Sequence, residues 1–177
     1  MSIFSNYPKV RYKVNDYDYL RAIDITDVSK IKSYLKAFGR VGYSPYVIRD
    51  GETPDYVSYK LYGSPEYDWV IMLTNNLYSI HDDWPKNSET FKNYIIDKYG
   101  NLNDPMTTIK YYYNNSTGNI IDSIEWNLLS AANRRSETEY EWELRKNTNK
   151  SKILVMQKGS LGALDAGLKS ILLKPIV

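Results

Sequence analysis

The single histidine, His81, is followed directly by Asp82 and Asp83, and a His–Asp–Asp run could ligate a metal or supply a general base. A protein metal site needs three or four converging ligands, and this spacing matches no helical metal motif. The run therefore reads as a loop, and neither a metal nor a cofactor is expected. Glycoside hydrolysis needs two carboxylates facing each other across a cleft. Among 21 acidic residues some pair always qualifies, so their number carries no signal. There is no Walker-type phosphate loop and no GxSxG elbow. The absence of cysteine excludes disulfides, thiolate zinc sites and a cysteine nucleophile. Asn114, Asn115 and Asn149 open N-x-S/T triplets, but no signal-peptide pattern precedes them, so they read as chance matches. No catalytic residue stands out, and the chain does not read as an enzyme.

The elements are more legible than the chemistry. The chain is organised around Tyr46–Asn76, YVIRDGETPDYVSYKLYGSPEYDWVIMLTNN. Tyr46, Val47 and Ile48 suit a strand, and Asp50-Gly51 a turn. Thr53 can cap a helix through its side-chain oxygen, with Pro54 at the first helical position and Asp55 at the positive end of the dipole. Val57 and Leu61 lie on one face, and Gly63 fits the left-handed residue that ends a helix. The same grammar follows at once: Ser64 caps, Pro65 and Glu66 begin a second helix, and Trp69, Met72 and Leu73 form its apolar face. Asn75 and Asn76 suit its end. Helices this short are marginal alone in water, so they must pack on each other and on a strand.

Upstream, residues 1–22 read as an extended aromatic arm, in which the alternation at Val10, Tyr12 and Val14 suits a short strand or an extended segment. Ile23 and Ile25 alternate as in a strand. Thr26 or Asp27 then caps a helix through Val28, Ile31, Leu35 and Phe38, ended by Gly39 and Gly42. Downstream, Trp84-Pro85 is a break. Ser88 caps a helix carrying Phe91, Ile95 and Tyr99 that ends near Gly100, and Asn101–Pro105 is a loop. Ile109–Tyr113 and Ile120–Trp126 are predicted to form a β-hairpin around the turn-rich NNSTGN. Leu128–Ala132 suits a short helical turn. Glu137–Leu144 fits either strand or helix spacing. Ile153–Met156 is a strand. Leu161, Leu164, Leu168, Ile171 and Leu172 mark a final helix, in which Gly162 and Gly167 cost about 1 kcal/mol each relative to alanine. They suit close packing against another backbone.

The fold class is α+β: a strand-helix-helix centre with an added helix, a β-hairpin and a C-terminal strand-helix. The expected organisation is an arm (1–22), a central region (23–100) and a hairpin-to-terminus region (101–177), the last two forming one compact body. At 177 residues a single core is affordable in size. The 18 Tyr and 4 Trp against 3 Phe give a core with polar handles, or a large interface share. Charge is segregated. Residues 1–49 hold nine basic and four acidic groups, 50–144 seven and sixteen, and 145–177 seven and one. Such blocks either solvate separate faces or match complementary neighbours. No run approaches the length of a membrane span, and no nucleic-acid reading motif accompanies the basic ends.

Two resemblances bear on function. Tyr46–Asn76 resembles a LysM module, a small βααβ unit whose relatives bind N-acetylglucosamine polymers. That resemblance implies a sugar groove lined by Arg49, Asp50, Gly51, Glu52, Thr53, Asn75 and Asn76. The whole chain resembles the LysM-containing baseplate wedge protein of T-even-type, contractile-tailed phages. SIFSNYPKVRY, DITDVSK, DGETPDYVSYKLYG, DWVIMLTNN, DDWPKNSETFKNYIIDKYG and RRSETEYEWELRKNTNKSKILVM carry it, in that order. It implies a non-enzymatic structural subunit of the virion tail, assembled in the host cytoplasm. Such a subunit clamps wedge core and hub-proximal proteins and links neighbouring wedges around a six-fold ring. It has no nucleic-acid or membrane partner, and room remains for a weak peptidoglycan contact. The partner-facing residues would be Ile3, Phe4, Tyr7 and Tyr12 in the arm, and Ile153, Leu154, Val155, Leu161 and Leu168 near the end. The alternative is a LysM module acting on the host cell wall, and a tail-associated muramidase is the third reading.

Overall fold

The computed structural model describes residues 9–15, 18–23 and 28–172. Its elements in chain order are β1 (Lys9–Lys13), β2 (Tyr19–Ile23), α1 (Val28–Ala37), β3 (Tyr43–Val47), α2 (Pro54–Tyr62), α3 (Asp68–Thr74), α4 (Ser88–Tyr99) and α5 (Asn103–Thr107). They continue with β4 (Ile109–Asn114), β5 (Ile120–Ile121), α6 (Ser123–Leu128), β6 (Arg134–Thr138), α7 (Glu139–Lys150), β7 (Lys152–Met156) and α8 (Leu161–Leu172). The class is α+β, with sheets ordered β1-β2, β3-β7 and β5-β4-β6. The chain divides into two compact units. The first takes the described residues up to Val47, Glu52–Ile80 and those from Ile153 on; the second takes Ile48–Gly51 and His81–Lys152.

In the first unit, β3 and α2 follow one another and α3 comes next, as the apolar pattern predicts. The partner of β3 is β7, supplied from beyond the whole second unit. Gln157 N–H donates to the Gly42 carbonyl at 2.8 Å and Ile48 N–H to the Ser151 carbonyl at 2.9 Å, so the pair runs antiparallel. That register turns the backbone groups of even-numbered β3 residues toward β7. Pro45 therefore lies on the other edge, where its missing N–H withholds a donor from any added strand. The far edge of β7 is closed by a side chain. Asn75 donates to the Leu154 carbonyl at 2.7 Å and accepts from the Leu154 N–H at 2.8 Å. Ile31 and Leu35 of α1, Val57 of α2, Val70 and Ile71 of α3, and Leu164 of α8 are buried in the core.

The local signals of this unit are partly as predicted. Gly63 is left-handed at φ 83° and its N–H donates to the Tyr59 carbonyl. Ser64 Oγ accepts from the Glu66 N–H. Thr53 occupies the cap position before Pro54, but its side chain makes no capping hydrogen bond, which corrects that expectation. The buried stripe of α2 runs Pro54, Val57, Ser58, Tyr62, beside Leu61 and not through it. Ser58 Oγ donates to the Ser64 carbonyl at 2.6 Å and accepts from the Tyr67 N–H at 3.2 Å, tying the end of one helix to the start of the next. In α3 the buried residues are Val70 and Ile71; Trp69, Met72 and Leu73 are half-buried. A single 3₁₀ turn at Pro65–Tyr67 precedes α3 and resets the phase of its inward face.

Tyr62 offers a direct test of this core. Its hydroxyl lies buried near the Met156 backbone without a hydrogen bond of good geometry, and burial pushes its pKa up to about 12. Removing an unpartnered buried hydroxyl removes a desolvation cost, so Tyr62→Phe is expected to hold stability or raise it by up to about 1 kcal/mol. Urea unfolding measures this, and a clear loss would mean that the hydroxyl is bonded.

In the second unit, β4 pairs antiparallel with both β5 and β6, with a bulge between Ile109 and Tyr111. The hairpin expected here is present but its second strand stops at Ile121. Asp122 Oδ1 accepts from the Ile124 and Glu125 N–H groups at 2.9 and 2.8 Å and starts α6, so Ser123–Trp126 is helical. The ambiguous Glu137–Leu144 is both things in turn. It is strand to Thr138, then helix, divided by a capping box in which Thr138 and Glu141 exchange hydrogen bonds. The cap of α4 is Asn87 and not Ser88, and the presumed loop after Gly100 contains α5. The short helical turn expected over Leu128–Ala132 falls at Ala131–Asn133. Phe91 and Ile95 form the buried face of α4, and Tyr140 meets Phe91 edge-on at 5.7 Å between ring centroids.

Of the two readings of the alternation at Val10, Tyr12 and Val14, the short strand is present over Lys9–Lys13. β1 and β2 form an antiparallel hairpin, with Lys9 opposite Ile23 and Lys13 opposite Tyr19. Asn15 holds the turn by accepting from the Asp18 N–H at 2.7 Å. Ile3, Phe4, Tyr7 and the Thr26 or Asp27 cap lie outside the described residues.

Candidate partner-binding surfaces

His81 and Asp82 are exposed, and their backbone carbonyls accept hydrogen bonds from lysines. Lys86 donates to His81 O at 2.5 Å and Lys150 donates to Asp82 O. Among the described residues no three His, Cys, Asp or Glu side chains converge.

The residues implied for a sugar groove are divided between the units. Arg49, Asp50 and Gly51 belong to the second, and Glu52, Thr53, Asn75 and Asn76 to the first. Several are committed to internal bonds. The Asp50 carboxylate accepts from Ser88 N–H at 2.9 Å and Ser88 Oγ at 2.8 Å. Glu52 is buried and accepts from Lys60 at 2.8 Å and from the Tyr46 hydroxyl at 2.7 Å. Asn75 closes the β7 edge, and Asn76 takes the left-handed conformation at φ 56° after α3.

The buried carboxylates of the second unit are Glu137 and Glu143. Arg145 grips Glu137 through two nitrogens at 2.6 and 3.0 Å, and Tyr113 adds a hydroxyl at 2.7 Å. The Arg145 hydrogen bond holds the Glu137 carboxyl below its ordinary range, overcoming burial. Glu143 is pushed up by burial, but the hydrogen bond and charge of Lys98, the charge of Lys146 and the Tyr94 hydroxyl outweigh this and hold it low. Both therefore stay ionised and bonded. A general acid at neutral pH needs the opposite shift, so these groups serve as cross-ties: Glu137 joins β6 and β4 to α7, and Glu143 joins α7 to α4. Apart from Lys146, three residues along α7, their partners are eight or more residues away in sequence, so local spacing does not disclose them.

What the molecule offers a partner is apolar surface. On the β1–β2 hairpin, Tyr12, Val14, Tyr19 and Leu20 are exposed. On α6, Ile124 and Leu128 stand four residues apart with 73% and 81% of their surface in solvent. Of the C-terminal residues expected to face partners, Ile153, Val155, Leu161 and Leu168 are buried in the first unit, while Leu154 is half exposed. The alternation of β7 explains the split: successive side chains of a strand point to opposite faces.

Leu154 borders a cavity of about 680 Å³ in the first unit. Its lining includes Leu35, Tyr43, Pro45 and Leu73, and Lys32, Lys36 and Arg40 add positive charge. Of its residues, Leu154 and Asn76 are the ones expected from the sequence to face a partner or ligand, while Leu35, Gly39 and Leu73 are expected only as helix residues. The others come from α1, β3 and α3, which local patterns do not bring together.

Compared with known families, residues 2–128 match the family described as base plate wedge protein 53. The match runs through α6 and ends before β6. No curated protein matches the chain.

Proposed function

The chain belongs to the base plate wedge protein 53 family, and on that premise we propose that it acts as a clamp that holds wedge core proteins together and joins neighbouring wedges. A structural role in the phage tail baseplate follows from the family itself. The finer role rests on the surfaces. An exposed apolar hairpin at one end of the sequence and exposed apolar residues on α6 suit a subunit with more than one neighbour. The segregated charge favours complementary contacts that fix register. Leu154 is the exposed apolar residue of β7, and the buried Ile153, Val155, Leu161 and Leu168 hold its mount. Assembly would take place in the host cytoplasm, without catalysis.

Reconstitution tests this. Wedges prepared without the chain are expected to stay as separate arms and to close into rings when it is added, as followed by sedimentation and electron microscopy. Rings that close equally well without it would remove the clamp role. Lysis of purified peptidoglycan by the chain alone would overturn the non-enzymatic part.

A further inference from the structure

The cavity of the first unit is built to take side chains and not a strand. Pro45 withholds a donor on the free edge of β3, and Asn75 occupies both backbone groups of Leu154 on the edge of β7. Main-chain addition, the common way to dock on a small sheet, is thus blocked on both sides. Between these edges lies an apolar hollow of about 680 Å³, a size typical of specific binding pockets. Its walls include Leu35, Leu73 and Leu154. Tyr43 also lines it, with its hydroxyl engaged in donating to the Leu35 carbonyl at 2.5 Å.

The charge of the lining is one-sided. Lys36 and Arg40 are exposed, and among the described residues neither has an acidic partner. Lys32 donates to the Tyr78 hydroxyl, a neutral partner. Among the described residues no acidic residue lines the cavity. An apolar hollow with an uncompensated positive rim fits an apolar side chain whose neighbours are carboxylates.

We propose that this cavity receives a short segment of another baseplate protein, one aliphatic or aromatic anchor flanked by aspartate or glutamate. That the donor is a baseplate protein rests on the wedge reading above; the chemistry of the segment rests on the cavity. A second copy of the chain is the rival occupant, because Ile124 and Leu128 with Glu125 beside them form such a segment on α6.

The test has two arms. First, a photoreactive phenylalanine at position 154 is activated in assembled wedges, and the linked peptide is identified by mass spectrometry. A peptide from a different baseplate protein with at least two acidic residues near an apolar one is expected. Linkage to another copy, to a basic segment or to nothing overturns the proposal. Second, the purified full chain is titrated with a synthetic twelve-residue peptide carrying two leucines and four glutamates, and with its lysine counterpart. The glutamate peptide is expected to bind about tenfold more tightly, with an advantage that shrinks in salt and vanishes in Lys36→Glu/Arg40→Glu. Equal binding of the two peptides overturns the cavity assignment even if the chain closes rings. A chain that prefers the glutamate peptide but never enters a wedge removes the wedge reading and leaves the cavity chemistry standing.

Discussion

Replacing Lys98 by methionine is expected to destabilise the second unit by about 2–3 kcal/mol near pH 7, with most of that loss disappearing in acid once the pH falls below the lowered pKa of Glu143. Glu143 is only 3% exposed and takes four partners: Lys98, Lys146 at 3.7 Å, and the Tyr94 and Tyr99 hydroxyls at 3.2 and 3.4 Å. Removing one partner of a buried ion pair typically costs about 3–5 kcal/mol, because the other charge is left stranded. The figure is lower here because Lys146 and two hydroxyls remain, and because Lys98 is itself partly exposed and screened. The sign with pH follows from the direction of the shift. In the native protein the Glu143 carboxyl lies below its ordinary value of 4.5. Its contribution is fully present above that value and is lost as pH falls through the folded pKa. Glu137, held low by Arg145, titrates in the same sense. Without Lys98 the burial of Glu143 is opposed by less, so its carboxyl rises and protonation relieves the penalty. The two stability curves should therefore converge in acid. Urea unfolding followed by tryptophan emission reads this unit well, since Trp84, Trp126 and Trp142 all belong to it. Lys98→Met/Glu143→Met should be less damaged than Lys98→Met alone. A loss that is the same near pH 7 and in acid would show that Lys98 acts by packing.

What the sequence disclosed was what a few adjacent residues decide. Gly63 and Gly100 end helices in the left-handed conformation because a Cβ would oppose it there. Ser64 caps, and the Leu161, Leu164, Leu168 face is buried as its spacing predicts. The features that escaped depend on distant partners. RRSET of β6 is too charged to look like a strand, and it is one because β4 lies beside it and Arg145 and Tyr113 satisfy Glu137. Asp122 looks like a strand residue until its carboxylate caps α6. The strand that pairs with β3 is β7, about a hundred residues further along the chain, so no pattern beside Tyr46–Asn76 discloses it. Asn75 looks like a helix stop and also serves as a false strand edge. The tyrosine excess has a use inside the units. Hydroxyls of Tyr46, Tyr94 and Tyr113 bond to Glu52, Glu143 and Glu137, carboxylates that burial would otherwise penalise. The family resemblance was legible because it rests on the order of several motifs, and the family match begins at residue 2 and covers most of them. The surfaces are less legible: exposure is a property of packing, and Leu154 and Val155 look alike in sequence.

The two glycines of α8 should behave in opposite ways, and Gly167→Val is expected to cost about 2–3 kcal/mol. A Cβ at Gly162 meets nothing within 4 Å, so Gly162→Ala should be tolerated or slightly stabilising. A Cβ at Gly167 would lie 1.8 Å from the Tyr34 hydroxyl and 2.2 Å from the ring carbon that carries it. Neither distance can be met, so Tyr34 must move. It is not free to do so cheaply, because its hydroxyl donates to the Ala163 carbonyl at 3.0 Å and its ring meets Phe38 edge-on at 5.3 Å. Displacing it gives up both contacts and loosens the crossing of α1 and α8, whose Ile31, Leu35, Leu164 and Leu168 belong to the core. The helix propensity gained on replacing glycine offsets part of this, and valine gains less than alanine because its branched side chain is restricted in a helix. Tyr34→Ala supplies the control. If the clash is the cause, the pair Tyr34→Ala/Gly167→Val should be more stable than the sum of the single changes predicts, by about 1–2 kcal/mol. Strict additivity would place the cost in α8 itself, and the contact between Tyr34 and Gly167 would not be what fixes α8 against α1.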